Sequence, residues 1–509
     1  MARQRACFVS ICQASWLERS CIRGSRTMPL IPETKTQESA APPIVSRNRW
    51  LVLLVVGLGM VAGVLSSGSF NVAVPSLTRA FNLGQDQVQW AMTGFMAAMT
   101  VAMLPTPWLL ERFSFRRVFL AALVVMALGS CAGYLAPSFQ LVVAARIVQG
   151  LAAGVLQPLG PIALMRLFPP AIQGRAMGVL SFSIALTPSI SPALGGFLLD
   201  RFGWSSIFLL NLPFCVVAFV AAFYLLRQTQ PVSSKPFDWL GLCVLTVGTI
   251  AAVEAVSSLQ HSGPFAPWTL FQFGIGIAAI RFYIGHARRK PAPIIQLGLL
   301  QQRTFALGTV VAFIYGFGLY ASSYLIPVFL QNALAYPASD AGMALLPSGF
   351  MLVITMLIAG RMVDRFPPKW LMAAGQATFA ISCFLLAIRG GSISYAELIA
   401  ATVLGRIGVG LVTPAMSLAI MRHLQPHELG QSSAISSYAR QLGGVIGIAI
   451  SAVFVEWRET LYGRIAPGVF SAYAQAFLLL GAVLFTAFVA ACLMRAETHP
   501  HTLMSSNID

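Results

Sequence analysis

Charge is scarce in this 509-residue chain: Asp, Glu, Lys and Arg make up 10% of it, against about 25% in soluble domains. With 57% apolar residues, that shortage excludes a soluble globular enzyme. Acids are the scarcest, 16 Asp and Glu against 33 Lys and Arg, for a net charge of +17. In a soluble protein this excess would point to nucleic acid. In a polytopic membrane chain the placement of Lys and Arg reports orientation, so no nucleic-acid partner follows. The six histidines, His261, His286, His423, His427, His499 and His501, are scattered, and no paired carboxylates or metal-ligand spacing accompany them. A polytopic membrane enzyme is therefore left without catalytic residues or a metal site. Cys7, Cys12 and Cys21 fall near the N-terminus, and Cys131, Cys215, Cys243, Cys383 and Cys492 within apolar runs, with no zinc spacing or disulfide framework. There is no Walker motif, so the chain supplies no ATP site, and no cofactor is implied. Residues 1–49 hold eight Lys/Arg and three Glu and no apolar core before a cleavage site. They read as a disordered cytosolic tail rather than a signal peptide. Met28 is a second candidate start, because residues 1–27 differ in composition from the Pro-, Glu-, Thr- and Gln-rich stretch after them.

Apolar runs dominate the rest. A bilayer core takes about 20 apolar residues per helix. Eleven stretches of at least nineteen residues, from 50–78 to 465–494, lack any charge, and three more carry one each: 239–260 with Glu254, 398–421 with Arg406 and 429–455 with Arg440. The expected fold is an all-α integral membrane protein of 14 transmembrane helices. With the N-terminus in the cytosol, 25 Lys/Arg fall on the cytosolic side, five on the other, and Arg146, Arg406 and Arg440 inside the membrane. That asymmetry places both termini in the cytosol.

Three landmarks recur: Glu111-Arg112-Phe113 with Asp364-Arg365-Phe366, Arg146-Ile147-x-x-Gly150-Leu151 with Arg406-Ile407-x-x-Gly410-Leu411, and Pro170-x-x-x-Gly174 with Pro426-x-x-x-Gly430. Their offsets are 253, 260 and 256 residues, so the chain is two copies of one bundle. The division is a tail at 1–49, a six-helix bundle at 50–226, an inserted helix pair at 237–286, a second six-helix bundle at 304–495 and a tail at 496–509. Repeated bundles place a site at their interface near the bilayer midplane and rock about it, so transport of a small molecule is implied.

Over residues 50–495 the chain resembles the fourteen-span drug/proton antiporter branch of the major facilitator superfamily. The residues that carry the likeness are Glu111, Arg112, Arg116 and Arg117 between spans 2 and 3, Gly360-Arg361-Met362-Val363-Asp364-Arg365 in the second half, Arg146-Ile147-Val148-Gln149-Gly150-Leu151 in span 4, Ser191-Pro192-Ala193-Leu194-Gly195-Gly196 in span 5, Asn211-Leu212-Pro213, Phe237-Asp238-Trp239-Leu240-Gly241 and Arg440-Gln441-Leu442-Gly443-Gly444. Two departures stand out: both glycines of the first loop motif are replaced, and the acid usual in span 1 is Ser66. The resemblance implies a multi-pass plasma-membrane transporter, in bacteria of the inner membrane, that exports amphipathic compounds against protons. It leaves accessory export proteins unspecified. The competing reading is a facilitator or importer of a neutral or anionic metabolite.

Several residues are candidates for that work. Arg146, with Gln149 in its motif, faces desolvation at mid-span and is expected in the transport cycle or as a hydrogen-bond anchor. Arg440 carries the same argument, while Arg406 sits where it can snorkel. Glu254 reads as a solvated helix end. Glu111-Arg112 and Asp364-Arg365 are expected to gate the cytosolic side. Pro188, Pro192, Gly195 and Gly196 allow span 5 to kink and pack closely. Ser67 and Asn71 in span 1 are cavity candidates. In span 9, Phe313, Phe317, Tyr320, Tyr324 and Gln331 share one helical face, expected toward either the cavity or lipid.

Overall fold

The charge-free runs fold as long helices, and all regular structure among the described residues is helical. In the computed structural model of the chain the described residues are 48–228, 236–263, 265–389, 393–463 and 466–494. Apart from Asn48 and Arg49, the expected tails lie outside them, as do the side chains of Asn71, Pro188 and Pro192. The helices are α1 (Arg49–Phe81), α2 (Gln85–Ala102), α3 (Thr106–Phe113), α4 (Phe115–Tyr134), α5 (Phe139–Leu167), α6 (Gln173–Phe202), α7 (Leu212–Leu225), α8 (Trp239–Ser262), α9 (Pro267–Arg289), α10 (Leu297–Gln301), α11 (Arg303–Asn332), α12 (Ala338–Val363), α13 (Pro368–Arg389), α14 (Tyr395–Met421), α15 (Leu429–Tyr462) and α16 (Ala466–Leu493).

Among the described residues, twelve helices are long and apolar enough to cross a membrane, and thirteen segments qualify if α2 and α3, bent by 54°, form one. Pro105 sits in that bend, and a proline has no N–H to continue the helical ladder. The expected span at 176–199 coincides with α6, a 30-residue helix that is not in this count.

Packing repeats between the two halves of the chain. Helix α1 packs on α5, α6 and α7, α2 on α5, and α4 on α5 and α7. The same pattern returns as α11 on α14, α15 and α16, α12 on α14, and α13 on α14 and α16. Close approach explains part of it. A side chain at Gly316, Gly443 or Gly447 would strike the backbone of Arg440, Phe313 or Phe317, so α11 and α15 are in backbone contact. Helices α8 and α9 pair with each other, and α8 leans on both α2 and α15, where Thr249 Oγ1 and Tyr438 Oη are 2.8 Å apart.

The sequence departure between α3 and α4 has a conformational cost. Ser114, where the resemblance leads one to expect glycine, joins the two helices at φ 72°, and its hydroxyl is buried without a partner. With ψ at 155° this is an extended, positive-φ conformation populated almost only by glycine, and another residue holds it at a cost of about 1–3 kcal/mol.

Candidate functional site: a cavity between the two halves

A cavity of about 1480 Å³ lies between the two sets of helices. It takes its walls from α1, α2, α5 and α6 on one side and from α11, α12, α14 and α15 on the other, and Val253 and Val256 of α8 reach it as well. Seven methionines from five helices line it: Met60, Met92, Met96, Met177, Met356, Met416 and Met421. An unbranched thioether adapts to differently shaped ligands, so this wall suits no single rigid compound.

Arg146 of α5 is 2% exposed, yet it lines the cavity. Its Nη1 donates to Ser66 O (3.0 Å), Ser66 Oγ (2.9 Å) and Gln149 Oε1 (2.9 Å), and its Nε to Ala91 O (3.4 Å). The rings of Phe70 and Phe95 cover the guanidinium, 4.3 and 4.0 Å from its carbon. Gln149 Nε2 donates on to Ser130 Oγ (2.9 Å), which donates to Asn211 Oδ1 (2.9 Å). The network ties α1, α2, α4 and α5 together, and Asn211 joins it just before α7. Ser66, at the position of the missing acid, thus serves the arginine as a neutral acceptor.

At the arginine-rich end the halves meet directly. Asp364, just past α12, accepts from the backbone N–H of Gly174 (2.6 Å) and Arg175 (3.0 Å) in the first turn of α6. The Arg175 and Arg422 guanidinium groups lie 3.7 and 3.9 Å from the same carboxylate. A carboxylate at a helix N-terminus meets free N–H groups and the positive end of the helix dipole. Burial pushes the Asp364 carboxyl above the usual range, against the opposing pull of these donors and charges. Glycines make the approach feasible: a Cβ on Gly360 would stand 2.7 Å from both Gly174 O and Gly178 Cα. Arg365 itself is exposed, as is Arg112. Glu111 is half-buried and, among the described residues, makes no ion pair.

A second buried carboxylate holds the inserted pair together. Asp238 Oδ1, preceding α8, accepts from His286 Nε2 (2.8 Å), Lys290 Nζ (3.0 Å) and Gly241 N (3.1 Å). Burial opposes its ionisation, but those donors outweigh burial and hold the carboxyl below the usual range.

The remaining candidates divide. Ser67, Tyr320, Tyr324, Arg406 and Arg440 line the cavity. Phe317 is 6% exposed and packs in the core, while Gln331 is exposed outside the cavity lining. The face of α11 that carries Phe313 and Phe317 presses on the glycines of α15, which turns Tyr315, Leu319, Ser323, Tyr324 and Val328 to the cavity, while Tyr320 reaches the cavity from the edge of that contact, its ring on Gly444 and its hydroxyl donating to Gln441 Oε1 (3.2 Å). Gly195 packs on α1, where a Cβ would be 3.1 Å from Ser69, and Gly196 faces open space. Sequence reasoning missed Tyr315, Gln157 and the methionines. Tyr315 differs from its flanking aromatics only in its angle on the helix, and the methionines are close in space but not in sequence.

The family model described as Major Facilitator Superfamily matches residues 56–346 and again 308–506. The chain belongs to the major facilitator superfamily. It is therefore a multi-pass membrane transporter whose substrates are small molecules. Among curated relatives, a multidrug resistance protein B homolog from Mycobacterium tuberculosis is 32% identical over 455 residues, covering 86% of this chain and 82% of the relative. The lincomycin resistance protein LmrB of Listeria monocytogenes is 27% identical over 409 residues, covering 80% and 86%. Among solved structures, the proton:xylose symporter XylE superposes with a TM-score of 0.62 at 14% identity, covering 88% of this chain and 96% of that one, a likeness of fold.

Proposed function

We propose that this superfamily member is an efflux permease of the plasma membrane, with fourteen spans and both termini in the cytosol, which exports amphipathic small molecules by alternating access. The observation that carries the reading is the large methionine-lined cavity between two pseudo-repeated halves, closed at the arginine-rich end by the Asp364 contacts to α6. With that end in the cytosol, the conformation faces outward. Inward opening then requires α12 to leave α6, breaking two hydrogen bonds and two charge contacts together. Such a contact set favours two discrete states over a continuum. Relatives named for multidrug and lincomycin resistance support an exported, chemically varied cargo.

Proton antiport completes the proposal. Ser66 cannot carry a proton as a span-1 acid would, and among the described residues the carboxylates on the cavity wall are Glu456 and Glu459, near the end of α15 away from the Asp364 contacts. These two are the groups through which protons enter. Inverted vesicles with an imposed pH gradient test direction and coupling, using a panel of cationic, neutral and anionic amphipaths. Accumulation that requires an acidic lumen supports the reading. Uptake that only equilibrates every compound, with or without the gradient, would make the protein a facilitator.

A further inference from the structure

Three guanidinium groups reach the cavity, and the structure uses them differently. Arg146 is spent on Ser66, Gln149 and two aromatic faces. Among the described residues, Arg406 makes one side-chain hydrogen bond, from Nη2 to Ser323 Oγ at 3.5 Å, and Arg440 makes one, from Nη2 to Gln157 Oε1 at 3.4 Å. Both lie at the outer limit of a hydrogen bond and both partners are neutral. A guanidinium has five N–H donors, so most of the donor capacity of each remains uncommitted. On α11 the two arginines are about two turns apart, the Arg440 backbone crossing at Gly316 and Arg406 reaching Ser323, and Tyr315, whose hydroxyl is 2.6 Å from Thr413 Oγ1, lines the same cavity.

No carboxylate among the described residues stands within ion-pair reach of either group. The acids on the cavity wall, Glu456 and Glu459, are sixteen and nineteen residues beyond Arg440 on α15. At 1.5 Å per residue that is about 24 and 28 Å of helix, well past the reach of a counter-ion. Cations kept at membrane depth and facing a cavity mark a substrate path. Leu319, one turn along α11 from Tyr315, and Val409, one turn along α14 from Arg406, add an apolar wall beside them.

We propose that Arg406 and Arg440, which reach the cavity within about two turns of α11 of each other, form a subsite for the carboxylate of an amphipathic anion, so that this transporter selects anionic over cationic cargo. The inference rests on the efflux reading and narrows it. The planar guanidinium fork matches a carboxylate in two-point fashion, and two uncompensated positive charges repel an ammonium group from the same place.

The test is equilibrium binding to the purified full-length protein in nanodiscs, with three probes that share a ring system and differ in charge: 1-naphthylacetate, 1-naphthylacetamide and 2-(1-naphthyl)ethylammonium. The carboxylate should bind about ten-fold or more tightly than the amide, and the ammonium most weakly. Arg406→Gln and Arg440→Gln should each reduce carboxylate binding toward that of the amide while amide binding holds, and Arg440→Lys should retain part of the preference. Equal or tighter binding of the amide or ammonium to the unmodified protein overturns the proposal. So does a carboxylate preference that survives both glutamine substitutions together. The three-probe comparison needs no variant to fold. It also reads binding and not export, so vesicles that pump cations alongside a protein without carboxylate preference sink this inference and leave the efflux reading standing.

Discussion

Replacing Arg146 with glutamine removes three short hydrogen bonds and two aromatic contacts from the wall of the cavity. Hydrogen bonds inside a membrane protein average about 0.6 kcal/mol each, so those three amount to about 2 kcal/mol. The two cation–π contacts add about 1–2 kcal/mol apiece in a desolvated setting. Against this stands the cost of keeping a charge at mid-membrane, about 2.5–3.5 kcal/mol, which the neutral variant recovers. The net loss is about 0.5–3.5 kcal/mol, with a middle value small enough for normal insertion and expression. Transport should nonetheless fall by about an order of magnitude or more, because the fork is what makes α1, α2 and α5 move as one body during rocking. Arg146→Lys keeps the charge without the planar fork and should recover little. Thermal unfolding in detergent, run beside substrate flux in vesicles, separates the two effects. Wild-type flux in a variant that melts normally would refute the reasoning.

Ser114→Gly relieves a positive-φ serine and an unpartnered hydroxyl, and should stabilise the protein by about 1 kcal/mol after the flexibility glycine adds to the unfolded chain, read from thermal or denaturant midpoints. The Asp238 clasp has a defined pH window. Its carboxyl is depressed in the folded state, so the stabilisation is complete above the unfolded value near about 4 and is lost as pH falls below it. Hydrogen exchange at the start of α8, corrected for intrinsic rates, should show a loss of protection as pH falls below about 4 that is absent in Asp238→Asn, and a loss of the same size in that variant would exclude this carboxylate as the cause. Single cysteines at 320 and 324 in a cysteine-free background should react with hydrophilic thiol reagents, and one at 317 should not, since Phe317 is buried against α15. Labelling at 317 with protection at 324 would reverse the assigned face of α11.

Sequence alone determined the class of this protein, because a helix in hydrocarbon must satisfy its own backbone and therefore announces itself as a long run without charge. The repeat was equally legible: Glu111 and Asp364, or Arg146 and Arg406, are matched residues at a nearly constant offset. So was the absence of an acid at Ser66. Which side of each helix faces the cavity was not legible. An apolar helix in lipid has weak polarity contrast around its circumference, so the stripe Phe313, Phe317, Tyr320, Tyr324 gave no reference direction until the glycines of α15 fixed how α11 is turned. Nor could spacing show that matched residues have diverged in use, with Asp364 docked on α6 while Glu111 makes no ion pair among the described residues. The same holds for the arginines. All three stand at membrane depth in sequence, but only the packing of neighbouring helices decides that Arg146 is enclosed by acceptors and rings while Arg406 and Arg440 keep their donors turned to an open cavity.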